Sequence, residues 1–227
     1  MFAARQVAST VSSKFLGAVA TQEGFLFEET LTGFKWMGNR SEELRAKGYD
    51  VVFSYEEAIG YCLGDVVLDK DGVAAAAVLG EVVGELREEG RSIADYLEEL
   101  QETYGFFVQN NGYVRAEKEA LEEVFERVRD GGKYVNAIGG ISVKSVRDLT
   151  TGFDSGSSDN KATLPTDSSS QFVTFTMSNG AIVSLRGSGT EPKLKYYVEA
   201  VGATQEQGEA VCEELVAAVK RDLIGGN

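Results

Sequence analysis

QFVTFTMSNGAIVSLRGSGTEPKLKYYVEAVG, residues 171–202, alternates apolar and polar side chains with a period of two through three runs. That period belongs to strands with one buried face. Asn179-Gly180, between the first two runs, is the dipeptide favoured by a type I′ turn, so the segment up to Arg186 reads as a β-hairpin. The loop RGSGTEPK leads to the third strand, LKYYVEAVG, and a helix from about Thr204 to Leu223 closes the chain. Working back from the hairpin, 106–114 is extended, 117–128 helical, and ISVKSVRDL at 141–149 a further alternating strand. The Ser-, Gly-, Asp- and Thr-rich stretch 150–171 is expected to be a long exposed loop. Strands with a covering helix make this half an α+β domain built on an antiparallel sheet with covering helices.

The first hundred residues switch repeatedly between strand and helix periodicity. Residues 7–11 form a strand, and Ser12 or Ser13 starts a helix carrying Phe15, Leu16 and Val19, which Gly24 closes. Residues 25–31 and DVVFS at 50–54 are strands, with a polar helix between them running from the Thr32-Gly33 turn to Gly48. Asp71 and Gly72 open an Ala- and Val-rich helix, and Ser92 caps another that ends at Gly105. Strands alternating with helices imply a layered α/β domain, so the boundary falls near residue 105: one domain over 1–104, another over 105–227.

The net charge of −14, with 36 acids against 22 bases, argues against nucleic acid as a partner, because a phosphate backbone is neutralised by clustered Lys and Arg. No apolar run approaches the roughly 20 residues that span a bilayer, so no membrane is expected. Histidine is absent, which removes Ser-His and Cys-His pairs and imidazole proton shuttles; Lys, Glu, Asp and Tyr are left for proton chemistry. Cys62 and Cys212 have no metal-site spacing and read as reduced and buried, in keeping with a cytoplasmic protein. The opening twenty residues, Ser-rich with Arg5 and Lys14 and acid-free until Glu23, also suit a transit peptide, but a strand and its helix account for them better.

Four loops carry candidate chemistry. In RGSGTEPK, Gly187 and Gly189 let the backbone turn tightly and expose successive N–H groups. Ser188 and Thr190 add hydroxyls, Arg186 a fork for a phosphate, and Lys193 and Lys195 further charge. The plainer account is a turn in which Arg186 pairs with Glu191. In SYEEAIGY at 54–61, Glu56 and Glu57 follow a buried strand, where α/β sheets present ligand loops; carboxylates there accept hydrogen bonds from vicinal sugar hydroxyls, or simply face solvent. In LDKDG at 68–72, Asp71 caps a helix and Lys70 lies near its positive end, where an anion binds. Asp69 and Asp71 lack the later ligands of a calcium loop, so no metal is assigned. In TLTGFKWMGN at 30–39 a Gly-centred turn presents Thr32 and Lys35 beside Trp36, although Phe34 and Trp36 also serve as core anchors.

Taken in order, TVSSK, ETLTGFKWMGNR, SYEEAIGY, LDKDGV, RDLTTGFD and RGSGTEPKLKYY resemble the third and fourth domains of α-D-phosphohexomutases, over nearly the whole chain. The likeness is nearest to the phosphoglucomutase-2 group, which includes phosphopentomutases and glucose 1,6-bisphosphate synthases. It implies a three-layer α/β/α domain, expected to be incomplete at its start, followed by the α+β domain. It further implies a parent enzyme that moves a phosphoryl group between the ends of a hexose or pentose phosphate through a phosphoserine and a bisphosphate. Glu56 and Glu57 match the sugar-reading loop, with Ala58 where many relatives have Ser; Thr32 matches a cleft residue, and Lys70 a substrate contact and proton-transfer candidate. Arg186, Ser188, Gly189 and Thr190 match the phosphate grip, and Lys195 stands where some relatives have Arg.

The implied cofactors are Mg2+ and glucose 1,6-bisphosphate, as activator or intermediate. The implied partners are glucose 1-phosphate, glucose 6-phosphate, ribose 1-phosphate or a bisphosphate, together with the N-terminal domains of the same enzyme. A chain without His cannot hold the family's Ser-His phosphoserine core, and no DxDxDR-type magnesium loop occurs. The expectation is therefore a chain that binds sugar phosphate and turns nothing over alone. The alternative is a non-catalytic sugar-phosphate-binding or interaction module.

Overall fold

A computed structural model describes residues 4–188 and 191–225, and the chain divides into two compact units, Met1–Gly105 and Phe106–Asn227. In the first unit, strands β1 (Ala4–Ser9), β2 (Leu26–Thr30), β3 (Asp50–Glu56) and β4 (Gly60–Leu63) form a sheet of order β2-β1-β3-β4. The strands β1, β2 and β3 are parallel, while β4 is antiparallel to β3. Helix α2 (Phe34–Ala46) packs Phe34, Met37 and Leu44 on Val7, Val51 and Cys62, which share one face of the sheet. Phe27, Gln6 and Phe53 occupy one register row of the other face, where Phe27 meets Gly17 of α1 (Phe15–Glu23). Phe53, Tyr61 and Leu63 line a groove there against Ala75, Ala76 and Leu79 of α3 (Gly72–Glu88). This is the three-layer α/β/α arrangement.

Local chemistry explains the helix ends. Gly24 closes α1 in the left-handed region at φ 76°. The Asp71 carboxylate caps α3, accepting from the Val73 and Ala74 amides at 3.0 Å each. Ser92 and Asp95 form a reciprocal capping box at the start of α4 (Ile93–Tyr104). Helix α4 returns to α1 through an edge-to-face contact of Tyr104 with Phe15, ring centroids 5.9 Å apart, and a 2.8 Å bond from the Tyr104 hydroxyl to Glu23.

The second unit is an antiparallel sheet in the order β5-β11-β10-β9-β7-β6, with β8 (Phe153–Asp154) alongside β7. The principal strands are β5 (Phe106–Arg115), β7 (Ile141–Asp148), β9 (Phe172–Met177), β10 (Ile182–Gly187) and β11 (Lys193–Gly202), and β6 is the two-residue Ala137–Ile138. One face carries α5 (Lys118–Arg129) and α6 (Gln205–Ala218), the latter continuing through a π-helical turn to Ile224. Leu121, Phe125 and Val128 of α5 and Cys212 and Leu215 of α6 share a core with Val173, Phe175, Val183, Leu185 and Leu194. Both cysteines are buried and free, and burial pushes the Cys212 thiol up to about 11.

Three local expectations change. The β9–β10 connection is not a type I′ turn: Gly180 has φ 87°, but Asn179 is not among the positive-φ residues. The Gly180 amide donates to Met177 O (3.0 Å) and the Met177 amide to Ala181 O (2.8 Å), so the loop has three residues and only its last needs the left-handed region. SYEEAIGY is not a plain loop, because β4 begins inside it at Gly60 and pairs back on Glu56. The stretch 150–171 carries its own structure: β8, a Phe153–Lys161 bridge, and a base closed by Thr150 and Asp148.

Asp148 is fully buried and accepts from Arg129 Nε (2.6 Å) and Nη2 (3.3 Å), Tyr134 Oη (3.0 Å), and the Thr150 (2.9 Å) and Thr151 (3.2 Å) amides. Burial opposes the charge, but the Arg129 guanidinium and the other donors overcome it and hold the carboxyl below its usual value. A depressed folded-state pKa gives stability that is complete above the unfolded value and lost as pH falls through the folded one. Asp148→Asn should therefore lower unfolding free energy at pH 7 by about 3 kcal/mol, as expected when one member of a buried pair is removed. The gap from wild type should begin to narrow near pH 4, the ordinary Asp range, and close only as pH falls through the lower folded-state value. Denaturant titrations at several pH values measure both.

Candidate functional site

Because β1, β2 and β3 are parallel, their C-terminal ends emerge at one edge of the sheet, and the three loops that follow them meet there. Glu56 Oε1 accepts the Gly33 amide at 2.8 Å, which joins the Thr32-Gly33 turn to the EEAIG turn. The Glu57 amide donates to Ser12 Oγ at 2.9 Å, and Ser12 Oγ lies 2.7 Å from the buried Ser9 hydroxyl. The Tyr55 hydroxyl donates to Ser13 O at 2.5 Å. Thr32, Glu56 and Glu57 are thus brought together, with TVSSK as a third wall.

That wall supplies a residue the sequence reading passed over. Lys14 Nζ bonds Thr10 O (2.9 Å) and Glu29 Oε1 (2.5 Å), and Glu29 Oε2 accepts the Thr10 hydroxyl (2.9 Å). Its only sequence signal was the quoted TVSSK run. Ala58 is exposed at the tip of the turn, and the neighbouring Ile59 is 82% exposed with φ 59°. A β-branched residue held in the left-handed region is an outlier of the kind that marks constrained site loops.

Lys70 reaches the same turn from the start of α3. Its stem lies on Gly60, its ammonium 4.9 Å from the centroid of the buried Phe34 ring, and it pairs with Asp69 at 2.9 Å. The Lys70 ammonium and amide hold the Asp69 carboxyl below its usual value. Lys35 is exposed, rests 5.8 Å from the Trp36 ring centroid and makes no ion pair among the described residues.

In the second unit Arg186 projects from the sheet face opposite the helices. Its register row runs Tyr113–Lys195–Arg186–Phe172 across four strands. Arg115 and Lys193 form an adjacent pair on that face, with the Lys193 ammonium 4.5 Å from the Tyr113 ring centroid. Arg115 was missed because nothing in a single strand's pattern tells which cation will face which neighbour. The Arg186–Glu191 pairing of the plainer account does not form: Glu191 takes Lys193 at 3.1 Å instead, and among the described residues Arg186 makes no ion pair.

The expected run of exposed amides needs correction. The Gly187 N–H donates to Gln171 O and the Ser188 N–H to Lys193 O, both at 2.9 Å, so these two residues prolong the sheet ladder. Gly189 and Thr190 lie outside the described residues. The described groups left as candidates for holding an anion there are therefore side chains, chiefly Arg186, Lys195 and the Ser188 hydroxyl. Beside Ser188 is a cavity of about 390 Å³ lined by Lys118, Ser170, Gln171 and Gly187, among others.

Residues 3–104 match the family model for the phosphoglucomutase/phosphomannomutase alpha/beta/alpha domain III, and residues 67–218 match that for the phosphoglucomutase/phosphomannomutase C-terminal domain. The chain belongs to the phosphoglucomutase/phosphomannomutase family. Human phosphopentomutase is 45% identical over 222 residues, covering 94% of this chain and 36% of that protein. Mouse glucose 1,6-bisphosphate synthase is 42% identical over 212 residues (92% and 34%), and the Saccharomyces cerevisiae phosphoribomutase 40% over 228 (94% and 36%). This mutase-family chain thus spans about a third of the length of the curated relatives it matches. The fold agrees with the open form of the Paramecium phosphoglucomutase parafusin, TM-score 0.66 at 18% identity over 96% of this chain and 36% of that one. It agrees also with a family protein from Burkholderia thailandensis, TM-score 0.53 at 12% identity over 100% and 39%.

Family membership brings magnesium into question. Among the described residues no three His, Cys, Asp or Glu side chains gather in a way that would hold a metal ion, so these residues do not fit a magnesium site. No helix among the described residues is long and apolar enough to cross a membrane.

A Cβ added at Gly60 would sit 2.6 Å from Phe34 Cε2 and 2.9 Å from Lys70 Cγ. Gly60→Ala should therefore push Lys70 off the turn and cost about 2 kcal/mol, the usual scale of overpacking. Urea titration against wild type measures the loss.

Proposed function

We propose that this chain supplies the sugar- and phosphate-binding half of a phosphopentomutase- or phosphoglucomutase-like enzyme. The parent reaction moves a phosphoryl group between positions of a hexose or pentose phosphate by way of a bisphosphate. In this reading residues 1–104 are the sugar-binding domain III and 105–227 the phosphate-binding domain IV, and the protein is cytoplasmic. Substrate candidates are glucose 1-phosphate, glucose 6-phosphate, ribose 1-phosphate and glucose 1,6-bisphosphate, the last also as activator. The printed names of the relatives, phosphopentomutase, glucose 1,6-bisphosphate synthase and phosphoribomutase, support that class.

Each unit has its part. Glu56 and Glu57 accept hydrogen bonds from sugar hydroxyls, Thr32 and Ala58 line the same turn, Lys35 borders it, and Lys70 is the proton-transfer candidate. Arg186, Ser188, Lys193 and Lys195, with Gly189 and Thr190 of the same loop, grip the non-reacting phosphate. The observation that carries the reading is the pairing of Arg186 and Lys195 in one cross-strand row of a chain with net charge −14. Two cations opposed in a ladder repel each other, and a dianion between them relieves that repulsion.

Phosphoryl transfer needs a nucleophile and stabilisation of the moving charge, and a His-free chain cannot hold the family's Ser-His core. The chain by itself is therefore expected to bind without turnover. Calorimetry with glucose 1,6-bisphosphate should show binding that Arg186→Ala weakens at least about tenfold, the worth of a charge-assisted bidentate contact. Mixing with a separately made N-terminal half should restore mutase activity. Binding without restored activity in a soluble, associated pair would favour the non-catalytic binding module, and an Arg186→Ala chain that binds like wild type would remove the phosphate grip.

A further inference from the structure

RDLTTGFD, 147–154, has no part in the contacts proposed above, yet its hydrogen bonds run from a fully buried carboxylate to the start of β9, the strand paired with the one that carries Arg186. Asp148 Oδ1 accepts the Thr150 amide at 2.9 Å and the Thr151 amide at 3.2 Å, which fixes the chain where it leaves β7. The half-buried Thr150 then makes two bonds with one hydroxyl: it accepts the Phe172 amide at 3.0 Å and donates to Ser170 O at 2.8 Å. The neighbouring Leu149 amide donates to Phe172 O at 2.9 Å. Residues 170–172 are thereby clamped at the start of β9. Phe172 stands opposite Arg186 in register, and Gln171 O accepts the Gly187 amide at 2.9 Å.

We propose that Thr150, held in place by Asp148, is a positioning residue for the phosphate grip. The clamp sets where β10 ends, and with it the point from which the Arg186 and Ser188 side chains reach a phosphate. The inference rests on the reading of Arg186 and Ser188 as phosphate ligands. Its physical basis is that a long arginine side chain holds one geometry only where its backbone is fixed, and a site loosened by about 1 Å loses much of its function. Without the hydroxyl, the first pair of the β9–β10 ladder keeps the Leu149 bond alone on its far side, and the end of β10 frays.

Thr150→Val keeps the side-chain shape and removes only the hydroxyl, while Thr150→Ser retains it. In the full chain, hydrogen exchange of the Gly187 amide should be faster in Thr150→Val and near wild type in Thr150→Ser. Affinity for glucose 1,6-bisphosphate, measured by calorimetry on folded protein, should fall about five- to tenfold in Thr150→Val, within the range of coupling through a contiguous network. The serine variant should stay within about twofold of wild type. Unchanged Gly187 exchange in Thr150→Val overturns the clamp, as does wild-type affinity in that variant when it is folded. If wild type itself binds no bisphosphate, the phosphate reading fails, and the exchange comparison still decides whether the clamp exists. Should Thr150→Val not fold, Thr150→Ala against Thr150→Ser makes the same comparison.

Discussion

The buried negative charge of Asp148 constrains the whole second unit. A carboxylate taken out of water is costly unless every lone pair is met, and here Arg129, Tyr134 and two backbone amides meet it. Those partners come from three places: helix α5, the turn after it, and the end of β7. The charge therefore ties a helix to the sheet and fixes the chain where 150–171 departs. From there the order is passed to β9 and on to β10, so the polar loop at Arg186 stands on a strand whose position is decided by a buried ion pair.

The first unit solves a different problem with a different device. Parallel pairing of β1, β2 and β3 sends three polar loops to one edge, and the bonds between them use backbone amides and hydroxyls of the loops themselves. Glu56 commits one carboxylate oxygen to the Gly33 amide, which rigidifies the turn. Antiparallel β4 then holds the turn from below, with Gly60 wedged between Phe34 and the stem of Lys70. The acidic turn is rigid because its backbone is tied on both sides.

Much of this was legible in the residue order because it depends on neighbours in sequence. Asp71 and Ser92 announce helix starts through side chains that reach amides two or three residues on, Gly24 announces an end through the conformation it tolerates, and the alternation of 171–177 and 181–186 announces strands. The same local grammar located the two acidic residues at the end of β3, Glu56 and Glu57, and the basic stretch that begins at Arg186 near the end of β10. Strand β4 escaped because four residues, GYCL, are too few to show a period and are paired only through a strained turn at Ile59.

What sequence alone determined, then, was which segments are helix or strand, that an α/β layer precedes an antiparallel sheet, and which polar turns are the candidates for chemistry. Tertiary structure alone decided the partners: that Glu191 takes Lys193 rather than Arg186, that Gly187 and Ser188 commit their amides to the ladder, that Arg115 and Lys14 join the polar clusters, and that Asp148 is buried. The reason is one of range. Backbone preference and capping act within about four residues, whereas a hydrogen bond between strands or a buried charge is fixed by register and burial, which join residues tens of positions apart.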